Sequence, residues 1–296
     1  MRFEGKMVNI CILAPKAMAR STEMIIKEAK KMFLNVDFVP IKEVVLGVDG
    51  KFEVNYKGKS LIRYDYVLPR IDSKRASFGY HVIKALDMFK VRKPYSAEAI
   101  LVAHNKWASL FELSKFNIPV PKTLYTSAKK SAGSVIDDLS FPLVMKLVSS
   151  YGGKGVLFLE GETAAKSVVK TLDVLKQDLM LEEFVPNPGE DIRGFVVGDE
   201  VVASMKRIAK KGEKRANVTS GGTAKDCLLT DEETEICLKS ASSLQSKILA
   251  IDMIRSNDGP KVIEVNINPG LVGITSATGV NIANKIARFC HNETKR

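Results

Sequence analysis

Residues 251–270 read IDMIRSNDGPKVIEVNINPG and carry the strongest structural signal in the chain. Two apolar runs, at 251–254 and 261–265, flank the turn sequence Asn257-Asp258-Gly259-Pro260. Apolar runs on either side of a turn predict a β-hairpin, and the four turn residues predict a loop longer than the tight two-residue kind. We therefore expect two adjacent antiparallel strands in this part of the chain.

Polar residues interrupt both runs: Asp252 lies in the first strand, and Glu264 and Asn266 lie in the second. Strand alternation places Glu264 and Asn266 on one face, and hairpin pairing can bring Asp252 beside them. Two carboxylates and an amide oxygen suit Mg²⁺, which usually shares its site with substrate phosphates. A single carboxylate would be better interpreted as a solvated residue at a strand edge. Three ligand-type residues in a hairpin rich in Ile and Val favour a metal site.

The length and composition indicate a soluble globular protein. The 296 residues are enough for two or three domains, and 45% of them are hydrophobic and 27% charged. No apolar run approaches the roughly 20 residues that span a bilayer, and the opening MRFEGKMVNICILAP resembles a buried strand rather than a signal peptide. The four cysteines are scattered without a CxxC pair. We therefore expect a reduced cytoplasmic protein with no membrane partner.

The formal net charge of +11 favours anionic partners such as nucleotides, nucleic acid or acidic peptides. Solvated lysine-rich faces would give the same charge with no partner. The sharpest basic run, KRIAKKGEKR at 206–215, lacks the interleaved aromatic residues on which bases stack. The sequence therefore does not favour a nucleic-acid partner.

The order of predicted elements indicates an α/β (α+β) fold in three domains. A strand at 7–14, a helix at 21–33 and a strand at 36–40 form a βαβ unit, which implies a parallel sheet. The sequences Ile118-Pro119-Val120-Pro121 and Pro186-Asn187-Pro188-Gly189 indicate connections between units. We expect an N-terminal α/β domain at 1–100, a central lid domain at 101–189 and a C-terminal mixed-sheet domain at 190–296.

Lys146 lies in the apolar strand PLVMKLV, where an unpaired ammonium group is costly to bury. It either contacts a phosphate or reaches solvent from an edge strand. The glycine-rich turn that follows contains Gly152, Gly153 and Gly155, whose backbone N–H groups could approach phosphates. The turn is not a Walker A loop, because Gly155 follows Lys154 and a strand follows the turn. An ordinary hairpin turn is the alternative interpretation.

Further candidates follow in the chain. Residues 182–185, Glu182-Glu183-Phe184-Val185, could form an apolar slot for adenine or a plain buried strand. Arginine side chains suit phosphates and carboxylates, which makes Arg193, Arg207 and Arg215 candidates. We favour a role at the phosphates for Arg215 and Asn217, which come just before Gly221 and Gly222. The three histidines are dispersed, so a catalytic triad is not expected.

In their order and spacing, these segments resemble the ATP-grasp superfamily and, within it, the RimK-like α-L-glutamate ligases. The resemblance runs from about residue 67 to 289. Five segments carry it: LPRIDSKRASFGYHVIKALDM, NKWASLFELSKFNIPVPKT, PLVMKLVSSYGGKGV, DIRGFVVGDEVVASMKRIAKKGEKRANVTSGGTA and AIDMIRSNDGPKVIEVNINPGLVGITSATGVNIA.

The resemblance implies three α/β domains, with ATP held between two of them and the middle domain acting as a lid. Lys106 and Lys146 would then contact nucleotide phosphates, residues 182–185 would line the adenine pocket, and Glu190 would lie near the ribose. Asp252, Glu264 and Asn266 would hold Mg²⁺ (or Mn²⁺), typically two ions. The resemblance also implies that Arg207, Arg215 and Asn217 face the γ-phosphate and the acyl intermediate. Substrate binding would involve Arg193, Gly221 and Gly222.

The primary hypothesis is therefore an ATP-dependent carboxylate–amine ligase that works through an acyl phosphate. The resemblance implies L-glutamate as the amine and a protein C-terminus or a small molecule as the acceptor, and it allows a homo-oligomer. The family commonly has Glu where this chain has Val272, and Ser near Ile267-Asn268, which bears on the acceptor. The alternatives are a ligase with another amino-acid donor or a cofactor acceptor, a nucleotide-binding protein without catalysis and a basic nucleic-acid-binding protein.

Overall fold

A computed structural model of the chain describes residues 8–127, 136–147, 155–186, 189–210 and 222–296. The strands are β1 Asn9–Ala14, β2 Asn35–Pro40, β3 Val44–Val48, β4 Phe52–Tyr56, β5 Lys59–Ser60, β6 Tyr66–Pro69, β7 Thr123–Thr126, β8 Leu143–Lys146, β9 Val156–Leu159, β10 Leu179–Glu183, β11 Glu190–Val197, β12 Glu200–Ile208, β13 Thr223–Asp226, β14 Ile248–Ser256 and β15 Gly259–Asn266. The α-helices are α1 Arg20–Ala29, α2 Ala76–Met88, α3 Ala97–Ala103, α4 Lys106–Lys115, α5 Glu162–Val174, α6 Asp231–Ser243, α7 Val272–Thr278 and α8 Ile282–Glu293.

The N-terminal part of the chain contains the predicted parallel sheet. Strand β1 lies between β2 and β6 and pairs with both in parallel. The sequence of β1, NICILA, is apolar from its second residue because both faces of the strand are covered. A small antiparallel sheet, β3-β4-β5, is inserted between β2 and β6. The βαβ prediction is therefore confirmed.

The central sheet is antiparallel, in the order β7-β10-β8-β9. The buried members of its apolar core lie between Ile136 and Leu181. Two separate helices, α3 and α4, precede this sheet. The Asn105 side chain accepts a hydrogen bond from the Ala108 N–H and so begins a new helix. Both helices pack into a different core, together with α2 and the C-terminal sheet.

The C-terminal sheet has the strand order β13-β12-β11-β14-β15. Its described pairings are all antiparallel, which corrects the expectation of a mixed sheet in this part of the chain. One face packs against α8 and the β1–β2–β6 sheet, and the other packs against α6. Helix α6 begins with a cap in which Thr230 and Glu233 form a reciprocal capping box.

The predicted hairpin is formed by β14 and β15, but its loop is shorter than expected. Ser256 pairs with Gly259, so only Asn257 and Asp258 connect the strands. Gly259 adopts a φ of 101°, and Pro260 pairs with Arg255 inside the ladder. A proline is tolerated there because β15 is the edge strand of the sheet. The longer loop predicted from the sequence is therefore wrong.

Candidate active site

Charged side chains gather on one face of the C-terminal sheet. Arg193 on β11 pairs across the ladder with Asp252 on β14, which in turn pairs with Glu264 on β15. Asp191, two residues before Arg193, pairs with Arg207 on β12. Directly paired residues of antiparallel strands project to the same face, so the register brings these five side chains together.

Four of these side chains form a continuous series of three ion pairs. Arg193 donates from Nε and Nη2 to the two oxygens of Asp252, at 2.6 and 2.7 Å. Arg207 donates from Nε and Nη2 to the two oxygens of Asp191, at 2.5 and 2.8 Å, and its Nη2 also lies 2.8 Å from Asp252 Oδ2. Asp191, Arg207 and Asp252 are at least 90% buried. Two cations and two carboxylates therefore compensate one another in a largely buried setting.

Burial and ion pairing compete in this network. Burial acts to raise the pKa of Asp252, but the Arg193 and Arg207 guanidinium groups outweigh it and lower that pKa to about 2. Burial raises the pKa of Asp191 despite its pairing with Arg207. The two carboxylates raise the pKa of Arg207 against the effect of burial. Asp252 is therefore held as a carboxylate between two fixed cations.

A second pair of charges lies on the central sheet. The Nζ atom of Lys146 on β8 donates to Glu182 Oε1 on β10 at 2.6 Å, and both residues are more than 90% buried. Burial raises the pKa of Glu182, with Lys146 acting in the opposite direction. The other oxygen of Glu182, Oε2, is buried without a hydrogen-bond partner. Lys146 is thus paired internally, and Glu182 keeps an acceptor for a further donor.

Lys106, the first residue of α4, connects the two charged groups. Its Nζ lies 3.8 Å from Glu264 Oε1 on the C-terminal sheet. Burial lowers the pKa of Lys106, which also experiences the charges of Glu264, Lys146 and Glu182. The structure therefore brings the predicted lysines together with the predicted metal ligands around one point between two sheets.

The rest of the predicted adenine segment lies on the central sheet. Glu183 accepts a hydrogen bond from the Ser140 N–H, and the Phe184 N–H donates to the Pro142 carbonyl. Phe184 packs edge-to-face on Phe158, and Val185 is buried. The Glu183 and Phe184 N–H groups are thus bonded within the central domain, and the role of residues 182–185 in adenine binding stays a prediction.

Glu190 is not brought into the arginine–aspartate network. It alternates with Asp191 along β11, so it projects from the opposite face of the strand, and Lys206 Nζ donates to it at 2.9 Å. Asp191 takes the buried position beside Arg207. The role of Glu190 near the ribose stays a prediction, and the sequence analysis did not name Asp191, although alternation from Arg193 could have identified it.

The predicted metal ligands keep oxygen lone pairs with which they could bind Mg²⁺. The Glu264 side chain is 37% exposed, and Asn266 Oδ1 accepts a hydrogen bond from the Asn268 N–H at 2.9 Å. Asp252 accepts three guanidinium hydrogen bonds, and a carboxylate has about four lone-pair positions. In the part of the chain that the structure describes, no three His, Cys, Asp or Glu residues cluster as a metal site. An ion here would therefore depend on the amide, phosphate oxygens and water for its remaining ligands.

Several predicted site residues lie outside the described residues, namely Gly152, Gly153, Arg215, Asn217 and Gly221. Gly155 is described, with a φ of 72°, and its carbonyl accepts a hydrogen bond from the Leu147 N–H at 2.9 Å. Gly222 directly precedes β13, whose first residue pairs with Ile208 next to Arg207.

A cavity of about 310 Å³ adjoins the candidate metal ligands. Among the residues that line it, sequence reasoning did not identify Asp72, Arg75, His104 and Asn268 as site residues. Asp72 and Arg75 lie 192 and 189 positions from Glu264 along the sequence, so no local pattern could associate them with the site. None of the described helices is long and apolar enough to cross a membrane.

Comparison with known families gives two matches that together span most of the chain. A model of the "RimK-like ATP-grasp domain" matches residues 103–290, and one of the "RimK PreATP-grasp domain" matches residues 8–100. A "Probable alpha-L-glutamate ligase" of Trichodesmium erythraeum (strain IMS101) is 38% identical over 241 residues, which are 81% of this chain and 81% of that protein. A protein of the same description from Nitrosococcus oceani is 33% identical over 296 residues, covering 98% of this chain and 97% of its own.

Solved structures confirm the predicted fold. The structure of the ATP-grasp ligase PsnB, complexed with a phosphomimetic variant of a minimal precursor, Mg and ADP, matches with a TM-score of 0.75 at 15% identity. That match covers 96% of this chain and 98% of the PsnB chain. The D-alanine–D-alanine ligase from Bacillus anthracis complexed with ATP matches with a TM-score of 0.69 at 15% identity, over 99% and 98% of the two chains. The architecture is therefore the ATP-grasp fold.

Proposed function

The chain belongs to the RimK-like ATP-grasp ligases, and from this premise we propose that it joins the amino group of L-glutamate to a carboxylate of an acceptor. The reaction consumes ATP and requires Mg²⁺, which Mn²⁺ can replace, with two ions at the site. The relatives' description as α-L-glutamate ligases supports glutamate as the amine. The acceptor is a protein C-terminus or a small molecule that ends in a carboxylate.

The first step forms the activated acceptor. An acceptor carboxylate oxygen attacks the γ-phosphorus of ATP, the bond to the β–γ bridging oxygen breaks, and ADP leaves, which gives an acyl phosphate. Lys106 and Lys146 bind the phosphates of ATP, and Arg207 and Arg215 stabilise the negative charge of the transferring group. Asn217 and Arg193 orient the reacting groups, and Gly152, Gly153 and Gly155 cover the phosphates.

The second step forms the amide. The α-ammonium group of glutamate loses a proton, and the neutral amine attacks the acyl carbon. The carbon–oxygen bond to phosphate breaks, inorganic phosphate leaves and the nitrogen gives its second proton to solvent. Water would hydrolyse the acyl phosphate, so the central domain must exclude it from the cleft while the intermediate exists.

Asp252, Glu264 and Asn266 would hold the divalent metal. A divalent ion held there would supply positive charge that offsets the negative charge of the ATP phosphates. The task of this chain's residues is to fix the ligands in place. Arg193 and Arg207 orient the Asp252 carboxylate through their hydrogen bonds to it. The Asn268 N–H orients the Asn266 amide in the same way.

One observation carries the proposal. Lys106 lies between the Lys146–Glu182 pair of the central sheet and Glu264 of the C-terminal sheet. A nucleotide with phosphates beside both lysines would therefore present its γ-phosphate to the carboxylate and amide oxygens of β14 and β15. Such an arrangement supports phosphoryl transfer from ATP rather than nucleotide storage alone.

The test uses purified protein with ATP, Mg²⁺ and isotopically labelled L-glutamate in a cell extract, read by mass spectrometry. We expect a product that is heavier by one or more glutamate residues, together with ADP and phosphate in matching amounts. A Glu264→Gln variant serves as the control and should leave the extract unlabelled. ATP binding without any labelled product would contradict the ligase proposal and favour a nucleotide-binding protein without catalysis.

A further inference from the structure

The segment that follows the predicted metal ligand Asn266 leaves the C-terminal sheet. Asn266 is the last residue of β15, an edge strand that pairs on one side only, with β14. Ile267 is buried in the apolar core that contains α6, whereas Leu271 is buried in the core that contains α1 and α8. Residues 267–271 therefore cross from one core to the other, and the sheet ladder that aligns Asn266 does not extend along them.

Two side chains from the N-terminal part of the chain bind the main chain of this segment. Arg70 Nη2 donates to the Pro269 carbonyl at 2.8 Å, and the Leu271 N–H donates to Ser21 Oγ at 2.9 Å. Both hydrogen bonds are buried, and they join residues 199 and 250 positions apart in the sequence. Together they fix the main chain on both sides of Gly270.

The anchored segment in turn orients the Asn266 side chain. The Asn268 N–H donates to Asn266 Oδ1 at 2.9 Å. The pyrrolidine ring restricts the φ angle of Pro269, so a contact that holds the Pro269 carbonyl also limits the position of the Asn268–Pro269 peptide group. A continuous path therefore runs from Arg70 through Pro269 and Asn268 to the amide of Asn266.

Arg70 occupies an expensive position for a charged residue. It is only 4% exposed and lies in a narrow apolar crevice with Ile25, Ile248, Ile267 and Ile286. Burial lowers the pKa of Arg70 to about 10, so the guanidinium group is protonated at neutral pH. Its Nε is buried without a hydrogen-bond partner, and among the described residues no carboxylate raises its pKa.

A buried cation without a carboxylate costs folding free energy, which a neutral donor at the same place would avoid. What the charged group provides is a charge-assisted hydrogen bond to the Pro269 carbonyl, which is roughly twice as strong as a bond between neutral groups. The Arg70 contact therefore holds the segment beside Asn266 more firmly than a neutral side chain would.

We propose that Arg70 is a positioning residue for the metal site, acting through Pro269 and Asn268 to hold the Asn266 amide oxygen where it binds the divalent ion. The inference rests on the proposed function, which assigns Asn266 to the metal. The N-terminal part of the chain thereby contributes to metal affinity, although none of the predicted metal ligands lies there. An Arg70 with a merely structural role would change the unfolding free energy and leave metal affinity unchanged.

The experiment measures binding rather than turnover. Isothermal titration calorimetry of the full chain gives the Kd of the non-hydrolysable ATP analogue AMPPNP in Mn²⁺ and again in EDTA. The ratio of the two Kd values is the gain in affinity that the metal provides. Arg70→Met removes the donor and the charge, Arg70→Lys keeps the charge, and Ser21→Ala removes the acceptor of the Leu271 N–H.

The matched control is Tyr95→Phe. The Tyr95 hydroxyl donates a buried hydrogen bond to the Pro69 carbonyl at 3.0 Å, and both residues line the same crevice as Arg70. This variant therefore weakens the same interface without touching segment 267–271. It should have a lower Tm than the wild type but the wild-type gain in affinity from Mn²⁺.

For Arg70→Met we expect the gain from Mn²⁺ to fall about tenfold, at the lower end of the range for groups that orient metal ligands. Its affinity for AMPPNP in EDTA should stay at the wild-type value, which shows that the nucleotide site is intact. Arg70→Lys should recover part of the gain, and Ser21→Ala should reduce it in the same direction. In an Asn266→Ala background, Arg70→Met should have no further effect, because its path to the metal is then absent.

Three results would overturn the proposal while the ligase assignment stands. The first is a wild-type gain from Mn²⁺ in both Arg70→Met and Ser21→Ala. The second is an equal loss of that gain in Tyr95→Phe, because the effect would then come from general loosening of the interface. The third is a full additional loss from Arg70→Met in the Asn266→Ala background.

Should Arg70→Met fail to fold, Arg70→Lys and Ser21→Ala decide the question, since a wild-type gain in both contradicts the proposed path. A wild type that binds AMPPNP equally well in Mn²⁺ and in EDTA would instead contradict the metal site, and with it the proposed function itself.

Discussion

The Arg193 guanidinium group binds both carboxylate oxygens of Asp252 from the neighbouring strand, at 2.6 and 2.7 Å. Asp252 therefore has two tasks, since it compensates buried cations and also belongs to the candidate metal site. A change at this residue alone cannot separate the two tasks. Glu264, its partner across the hairpin, is more exposed and contacts no arginine in the described network, so it provides the comparison that Asp252 needs.

The first prediction compares Asp252→Asn with Glu264→Gln. Asp252→Asn leaves the buried arginines without one of their two compensating charges, and we expect it to lose about 3 kcal/mol of unfolding free energy along with turnover. Glu264→Gln should lose turnover as completely but cost less than about 1 kcal/mol, because its side chain is 37% exposed. Urea unfolding and ADP release measure the two effects. Turnover retained in Glu264→Gln would contradict the metal assignment.

The second prediction concerns acid stability. The arginines lower the pKa of Asp252 to about 2, below its unfolded value of roughly 3.9. A carboxylate with a lowered pKa contributes stability that is present above about pH 4 and is lost as the pH falls towards about 2. The contribution is of the order of 2 kcal/mol. We expect Arg193→Gln to raise the pKa of Asp252 towards its unfolded value, so that the variant has a lower urea midpoint at neutral pH and loses less of it between about pH 4 and pH 2 than the wild type does.

The matched control for acid stability is Arg63→Gln. Arg63 pairs with Asp37 at a half-exposed position, where the interaction is screened by solvent. Its urea midpoint should follow the wild-type pH dependence. A wild-type profile for Arg193→Gln as well would show that Arg193 does not lower the pKa of Asp252.

Local patterns predicted the hairpin and its polar face but not the length of its turn. Strand alternation suffices to place Glu264 and Asn266 on one face, whereas the pairing of Asp252 with Glu264 also depends on the turn and on a register shift after Asp252 that the pattern does not contain. The sequence Gly259-Pro260 is typical of a loop, and only the position of β15 at the edge of the sheet allows both residues to join the ladder. The turn depended on tertiary context that the sequence pattern does not contain.

The cavity was beyond sequence reasoning for a related reason. Arg70 shows how distant segments meet: it is buried and donates to the Pro269 carbonyl across 199 positions of sequence. The same packing places Asp72 and Arg75 beside Asn268. In a sequence, an acidic and a basic residue three positions apart, such as Asp72 and Arg75, indicate an ordinary ion pair on the protein surface. Nothing in the local pattern indicates that Asp72 Oδ1 and Arg75 Nε, which do not take part in the pair, are buried.

The third prediction separates stability from ATP binding at the Lys146–Glu182 pair. Lys146→Met leaves a buried carboxylate without its cation, and we expect it to cost about 3 kcal/mol. The double variant Lys146→Met/Glu182→Gln removes both charges and should recover most of that loss. Both variants should bind ATP about tenfold or more weakly, since each lacks the ammonium group at the phosphates. Urea unfolding and ATP titration measure these effects, and wild-type ATP affinity in Lys146→Met would contradict its assigned role.

The fourth prediction concerns the boundary of the glycine-rich segment at Gly155. Its φ of 72° is unfavourable for any residue with a Cβ atom, and a Cβ placed there would lie 2.9 Å from the Leu147 side chain. We expect Gly155→Ala to cost about 1–2 kcal/mol of unfolding free energy. Because the Leu147 N–H to Gly155 carbonyl bond joins the two ends of segment 148–154, we also expect a higher KM for ATP. Thermal unfolding and steady-state kinetics measure the two effects.

Gly161→Ala is the control for this substitution, because no atom lies within 4 Å of a Cβ built at that position and its φ is not in the left-handed region. It should leave both the unfolding free energy and the KM for ATP near wild-type values. The double variant Leu147→Ala/Gly155→Ala removes the two shortest contacts, to Leu147 Cδ1 and Cγ, but keeps the Cβ contact at 3.1 Å and the strained backbone, so it should recover only part of the loss. Full recovery of the unfolding free energy in the double variant would assign the whole effect to side-chain crowding. An unchanged KM for ATP in Gly155→Ala would mean that the geometry of this boundary does not govern access of ATP to Lys146.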